Sequence, residues 1–271
     1  MTRLQSIFIL VPGIVGLLWL FAYLFIAPRN VFFRKLKRFV ALLAFFFVFA
    51  HLSSNAGSRM MLHFVLLEQV CALALVPCFI SFIKEYGNSK APGLLFKLCC
   101  MLPMIHLVIG IESVYVAGFE DSLRIYTESL LFHGPMFPYL NDNAQMVVYA
   151  TYTYMFKAFL LMNFFMFAIN LMTCCVNRFK FRETFSFLTG DCEANPVPVL
   201  YFLFLIVLLC SVPVLILGKS CYEGFVLITV LACILLSVDV FMFSLAGLGG
   251  PAEMLSLKGI LKSVREKTSQ E

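Results

Sequence analysis

Met60–Ile83 reads MMLHFVLLEQVCALALVPCFISFI and runs directly into Lys84, Glu85 and Tyr86. Glu68 is the one formally charged side chain in the stretch, and the rest is overwhelmingly apolar. A helix needs roughly 20 such residues to cross a hydrocarbon core. Helix is the conformation to expect, because lipid offers no partner to a bare backbone N–H or C=O. The same pattern recurs on both sides of this run, giving seven predicted spans near 7–27, 39–56, 60–83, 94–117, 146–171, 197–217 and 225–245. Composition agrees over the whole 271 residues. Apolar and aromatic residues make up 62% and charged residues 13%, against roughly 45–50% and 25% in soluble domains. This excludes a cytosolic enzyme, a secreted disulfide scaffold and a disordered chain. It also excludes a transmembrane barrel, whose strands alternate apolar and polar residues. The expected class is all-α: a polytopic bundle of seven transmembrane helices.

Basic residues orient the bundle. Arg29, Arg34, Lys35, Lys37 and Arg38 fall between spans one and two. Lys84, Lys90 and Lys97 flank the third connection, Arg178, Lys180 and Arg182 the fifth, and Lys258, Lys262, Arg265 and Lys267 the tail. The other side holds only Arg3, Arg59, Arg124 and Lys219. Positive residues mark the cytoplasmic face, so the N-terminus is expected outside and the C-terminus in the cytoplasm, at a cell (inner) membrane. The first run is too long for a signal-peptide core and lacks a small-x-small cleavage site, so it is expected to be retained.

Two segments outside the spans carry information. Gly118–Gln145 is acidic and turn-rich, with Glu120, Asp121, Glu128, Asp142, His133, Gly134, Pro135 and Pro138. Loops concentrate binding residues, so an external small ligand is expected to meet the protein there. From 247 to 271 the chain breaks at glycines and Pro251, then places Met254, Leu257, Leu261 and Val264 at helical spacing among Lys258, Lys262 and Arg265. A basic amphipathic helix over 253–266 is predicted, suited to an anionic leaflet or a cytoplasmic protein partner.

Ionisable groups inside spans point to function, because a charge at mid-span costs about 2.5–3.5 kcal/mol on insertion scales. Lys157 and Asp239 lie at comparable depth, and an ion pair between them is open if spans five and seven touch. A second constellation comprises His51, His63, Glu68, His106 and Glu112, placed towards the outer half of spans two to four. At about 100° per residue Glu68 and His63 lie far apart round one helix, as do Glu112 and His106. One member of each pair is therefore expected to reach a shared, protonatable cavity. The candidate ligand-binding residues are Glu68, His106, Glu112, Lys157 and Asp239. Interhelical packing is the competing reading for all of them, and for Asn163 and Asn170, which share a face. Pro12, Pro77, Pro103 and Pro213 fall within spans, where neighbouring helices must satisfy the carbonyls they free.

No Cys-x-x-Cys or His-x-x-x-His spacing suggests a metal site, and the ten cysteines read as packing residues rather than a disulfide framework. Nucleophile elbows, zincin motifs and Walker loops are missing too. Neither an enzyme nor a cofactor is expected.

Leu75-Val76-Pro77 through Phe82-Ile83-Lys84-Glu85-Tyr86 resembles the third span of membrane-bound bacterial AraC-type regulators. Leu102-Pro103-Met104-Ile105-His106 and Asn177-Arg178-Phe179-Lys180 are similar to the corresponding parts of spans four and five. The resemblance extends loosely over all seven spans. It implies a sensor region that continues, in the family, into a helix-turn-helix DNA-binding domain. This sequence departs there by stopping at Glu271, so the resemblance implies a sensor module alone or a truncated reading frame, without direct nucleic-acid binding. The expected function is a receptor-like sensor signalling to a cytoplasmic partner. The alternative is a small secondary transporter, although no internal repeat of the kind such folds show is evident.

Overall fold

The computed structural model describes residues 3–26, 31–55, 60–86, 93–127, 143–178, 197–217 and 226–248. The predicted tail helix at 253–266 lies outside the described residues, as do 128–142 of the acidic segment and 179–196. Apart from Gly118 the described chain is helical. The helices are α1 (Arg3–Ile26), α2 (Val31–Asn55), α3 (Met60–Ile83), α4 (Gly93–Ala117), α5 (Phe119–Ile125), α6 (Asn143–Tyr149), α7 (Phe156–Arg178), α8 (Val197–Leu217) and α9 (Val226–Leu248). A 3₁₀ turn, Lys84–Tyr86, extends α3. A π-helical segment, Ala150–Met155, joins α6 to α7. Six helical stretches are long and apolar enough to cross a membrane, compatible with a multi-pass membrane protein; the longest, Asn143–Thr173, runs through α6, the π segment and α7. The described apolar part of α8 is shorter, Leu200–Ser211.

Contacts between named residues give the helix directions. Ser53 meets Glu68 at one end of the α2–α3 pair, and Lys35 pairs with Glu85 at the other, so these helices are antiparallel. Lys84 lies 4.0 Å above the Phe96 ring, bringing the end of α3 to the start of α4. Tyr23 near the end of α1 donates to the Ser244 carbonyl near the end of α9 at 2.9 Å, so α1 and α9 run parallel. Rings from five helices meet at this same basic end. Phe79 of α3 stacks on Phe204 of α8 at 4.3 Å, Phe39 of α2 lies 4.7 Å from Phe243 of α9, and Phe167 of α7 packs on Tyr201. Aromatic contacts of this kind add about 0.5–1.5 kcal/mol each beyond area burial.

α3 is the central helix. In its apolar span 72% of the residues are buried, against 22% in that of α1. α1 instead lies along α2, and small residues allow the close approach. A Cβ placed on Gly16 would stand 2.8 Å from the Cβ of Ala44, and one on Gly13 would stand 3.2 Å from the Ala44 carbonyl oxygen. Small residues at such a contact let helix backbones approach closely in membranes.

Two expectations need correction. The second span was expected from residue 39, with Arg34, Lys35, Lys37 and Arg38 in a connection, but α2 begins at Val31 and carries all four. Long basic side chains can run along a helix and leave their heads at the interface, and Lys35 also reaches the Ser81 carbonyl at 3.3 Å. The Gly118–Gln145 segment, expected as a turn-rich loop where an external ligand meets the protein, is helical over part of its length. Gly118, at φ 83°, breaks the helix after α4 and α5 follows at once. That conformation suits glycine because it has no Cβ to clash.

Candidate functional site: a polar joint between α3, α4 and α7

The buried polar residues concentrate around α3. Glu68 and Gln69 are adjacent in sequence, about 100° apart round the helix, and so serve different neighbours. Glu68 turns to α2, where the Ser53 hydroxyl donates to its Oε2 at 2.6 Å. Gln69 turns to α4 and the π segment. Its Nε2 donates to the Tyr152 carbonyl at 3.2 Å, and its Oε1 stands 2.8 Å from His106 Nε2.

The π register makes this link available. The Phe156 amide bonds to the carbonyls of Thr151 and Thr153 and passes over Tyr152, its α-helical partner. The Tyr152 carbonyl is thereby freed, and Gln69 takes it. A carbonyl only accepts, so Gln69 must present nitrogen to Tyr152 and oxygen to His106. His106 must then donate from Nε2, which assigns the neutral ring its Nε2–H tautomer. Its Nδ1 is buried with no hydrogen-bond partner among the described residues. The ring is enclosed by Tyr152, Phe156 and Phe159, with Phe156 at 5.6 Å.

A second link between α3 and α7 works in the opposite sense. Pro77 has no amide to give to Leu73, four residues back, so the Leu73 carbonyl loses its helical partner. Asn163 of α7 fills that position, its Nδ2 donating to the Leu73 carbonyl at 2.9 Å. Each helix thus supplies a side-chain amide to a carbonyl that its partner's backbone leaves open. Asn170, one face further along, bonds back to the Met166 carbonyl of its own helix.

The acidic segment docks against this joint. Gln145 Nε2 donates to Asp121 Oδ2 at 3.2 Å. Ile125 and Tyr126 pack with Met61, Leu62, Val65, Leu66, Val148 and Tyr152 in a separate apolar cluster. Burial raises the Tyr126 phenol well above its usual range, and the Glu68 carboxylate and Tyr152 push the same way. Tyr126 therefore sits where the α5 segment, Glu68 and the π segment meet.

The other candidate residues separate. Glu68 and His106 point inward while His63 and Glu112 are exposed, as the angular separation predicts. Glu68 accepts from Ser53 while His106 bonds to Gln69. His63 lies on the Phe119 ring at 5.8 Å. Lys157 is half-buried on α7, which packs on α3, α4 and α8. Asp239 is buried on α9, and neither carboxylate oxygen has a hydrogen-bond partner among the described residues. The ion pair left open by their comparable depth is not formed among the described residues, because depth does not fix which helices are neighbours. In a double-mutant cycle, Lys157→Met and Asp239→Asn should change detergent stability additively, within about 0.5 kcal/mol. A coupling above about 1 kcal/mol would show that they meet.

Sequence reasoning passed over Gln69, Ser53 and Tyr126. The detectable signal was Pro77 with Asn163, a freed carbonyl and a mid-span amide able to reach it. Among the described residues no three His, Cys, Asp or Glu side chains converge as metal ligands. Comparison with known proteins finds no matching family model, no matching curated protein and no matching solved structure.

Proposed function

We propose that this chain is a seven-span protein of the cell (inner) membrane, N-terminus outside, acting as a receptor-like sensor module. Seven crossings are supported by the parallel course of α1 and α9, which alternating spans give only when the two are separated by an odd number of helices. The observation that carries the sensor reading is the docking of the α5 segment on α6 through Asp121–Gln145, and on the π segment through the Tyr126–Tyr152 contact. An external ligand that moves the acidic segment then acts on the helix whose freed carbonyl ends the His106–Gln69 chain. The response passes along α3 and α7 to the aromatic cluster at the basic end, and from there to a cytoplasmic protein partner of the 253–266 segment. This reading involves no nucleic acid.

Reporter fusions test the orientation. Fusions after Lys90, Arg182 or Glu271 should read as cytoplasmic and those after Arg124 or Lys219 as external; a cytoplasmic signal after Arg124 overturns the proposal. The sole tryptophan, Trp19, packs on Tyr23 and Phe241 at the α1–α9 contact. In proteoliposomes screened with amino acids, sugars and cations, a sensor should show a solute-dependent change in Trp19 fluorescence without flux. Uptake above that of empty vesicles would replace the sensor with a transporter.

A further inference from the structure

The Asn163 latch leaves one of its own atoms to be accounted for. With Nδ2 committed to the Leu73 carbonyl, Asn163 Oδ1 is fixed on the other side of the amide. It is buried and has no hydrogen-bond partner among the described residues. Asn163 lines a small cavity between α2, α3, α7 and α8, and the one other polar residue in that lining is Ser211 of α8. Ser211 Oγ is likewise buried and without a partner.

The hydroxyl's position is informative. Serines and threonines within helices usually bond back to a carbonyl on the preceding turn. Ser54, Thr151, Thr173 and Ser237 all do so here, at 2.7–2.8 Å. Ser211 makes no such bond, and neither do Thr153 and Ser244. The cavity has room for about one water molecule, and two polar partners are the least that an ordered internal water requires. Phe46, Ala72, Val76, Leu160 and Val207 make its walls apolar, which disfavours an ion.

We infer that this cavity is a binding site for a single ordered water molecule, which donates to Asn163 Oδ1 and hydrogen-bonds with the Ser211 hydroxyl. The water completes the polar set around the Pro77 break. It also ties α8 to the α3–α7 pair at the point where the backbone ladder of α3 is open. This inference is independent of the sensor reading and holds equally for a transporter.

Radiolytic hydroxyl-radical footprinting of the full chain in nanodiscs tests it, because a bound water is split in place and labels its neighbours. Phe46 lines the cavity at 4% exposure, and Phe79, fully buried, lies away from it. Phe46 should be labelled well above Phe79 in the native chain and in Ser211→Thr, which keeps the hydroxyl. In Ser211→Val, which has the shape of threonine but lacks the hydroxyl, Phe46 should fall to the level of Phe79. Equal labelling of Phe46 and Phe79 in the native chain overturns the inference, as does unchanged Phe46 labelling in a folded Ser211→Val. If Ser211→Val does not fold, the native and Ser211→Thr comparisons still decide.

Discussion

Gln69→Leu should lower stability in mixed micelles by about 2–4 kcal/mol. A single interhelical hydrogen bond in a membrane contributes about 0.6 kcal/mol on average and up to about 1.7. This substitution removes two. It also leaves the His106 Nε2–H and the Tyr152 carbonyl buried without partners, and each orphaned group costs about 1–3 kcal/mol. The range lies below the simple sum because the unfolded chain in a membrane also finds polar partners. Adding His106→Phe should recover part of the loss by removing the orphaned donor. The Tyr152 carbonyl can regain its α-helical partner only if the π segment relaxes, so amide hydrogen exchange across Ala150–Met155 should change in Gln69→Leu. A loss under about 0.5 kcal/mol with unchanged exchange would mean that the joint does not hold the register of α7.

The second large effect is expected at Gly16. The Cβ alone would stand 2.8 Å from Ala44 Cβ, a small, rigid side chain that cannot turn away, so Gly16→Leu must push α1 off α2. Overpacking of this kind costs about 1–3 kcal/mol and sometimes more, and the upper end applies because α1 is held between α2 and α9 and cannot shift without loosening both contacts. Gly93→Leu is the matching control, since a Cβ there meets nothing within 4 Å; its effect should stay within about 0.5 kcal/mol. Equal effects at the two glycines would show that the α1–α2 contact is not tight. Trp19 fluorescence gives a second readout, because displacing α1 also disturbs its contact with Phe241 on α9.

The apolar runs by themselves pointed to a helical protein and, apart from the basic start of α2, to where its long helices lie, since lipid leaves an uninterrupted apolar segment no other way to satisfy its backbone. The angular argument on α3 and α4 also held: it separated Glu68 from His63 and His106 from Glu112 because helical geometry is local. Which helices touch was not legible. In a soluble bundle the apolar stripe reveals the buried face, but here Leu24 and Phe25 on the exposed side are as apolar as Leu73 and Phe79 in the core. The sequence pattern therefore gave no sign that α3 is central or that α7 faces α3, α4 and α8 rather than α9. The Lys157–Asp239 expectation failed for that reason. Only the tertiary structure brought Gln69 to a carbonyl freed by a π register and Asn163 to one freed by Pro77, because a backbone opening in one helix selects its partner by proximity across the bundle.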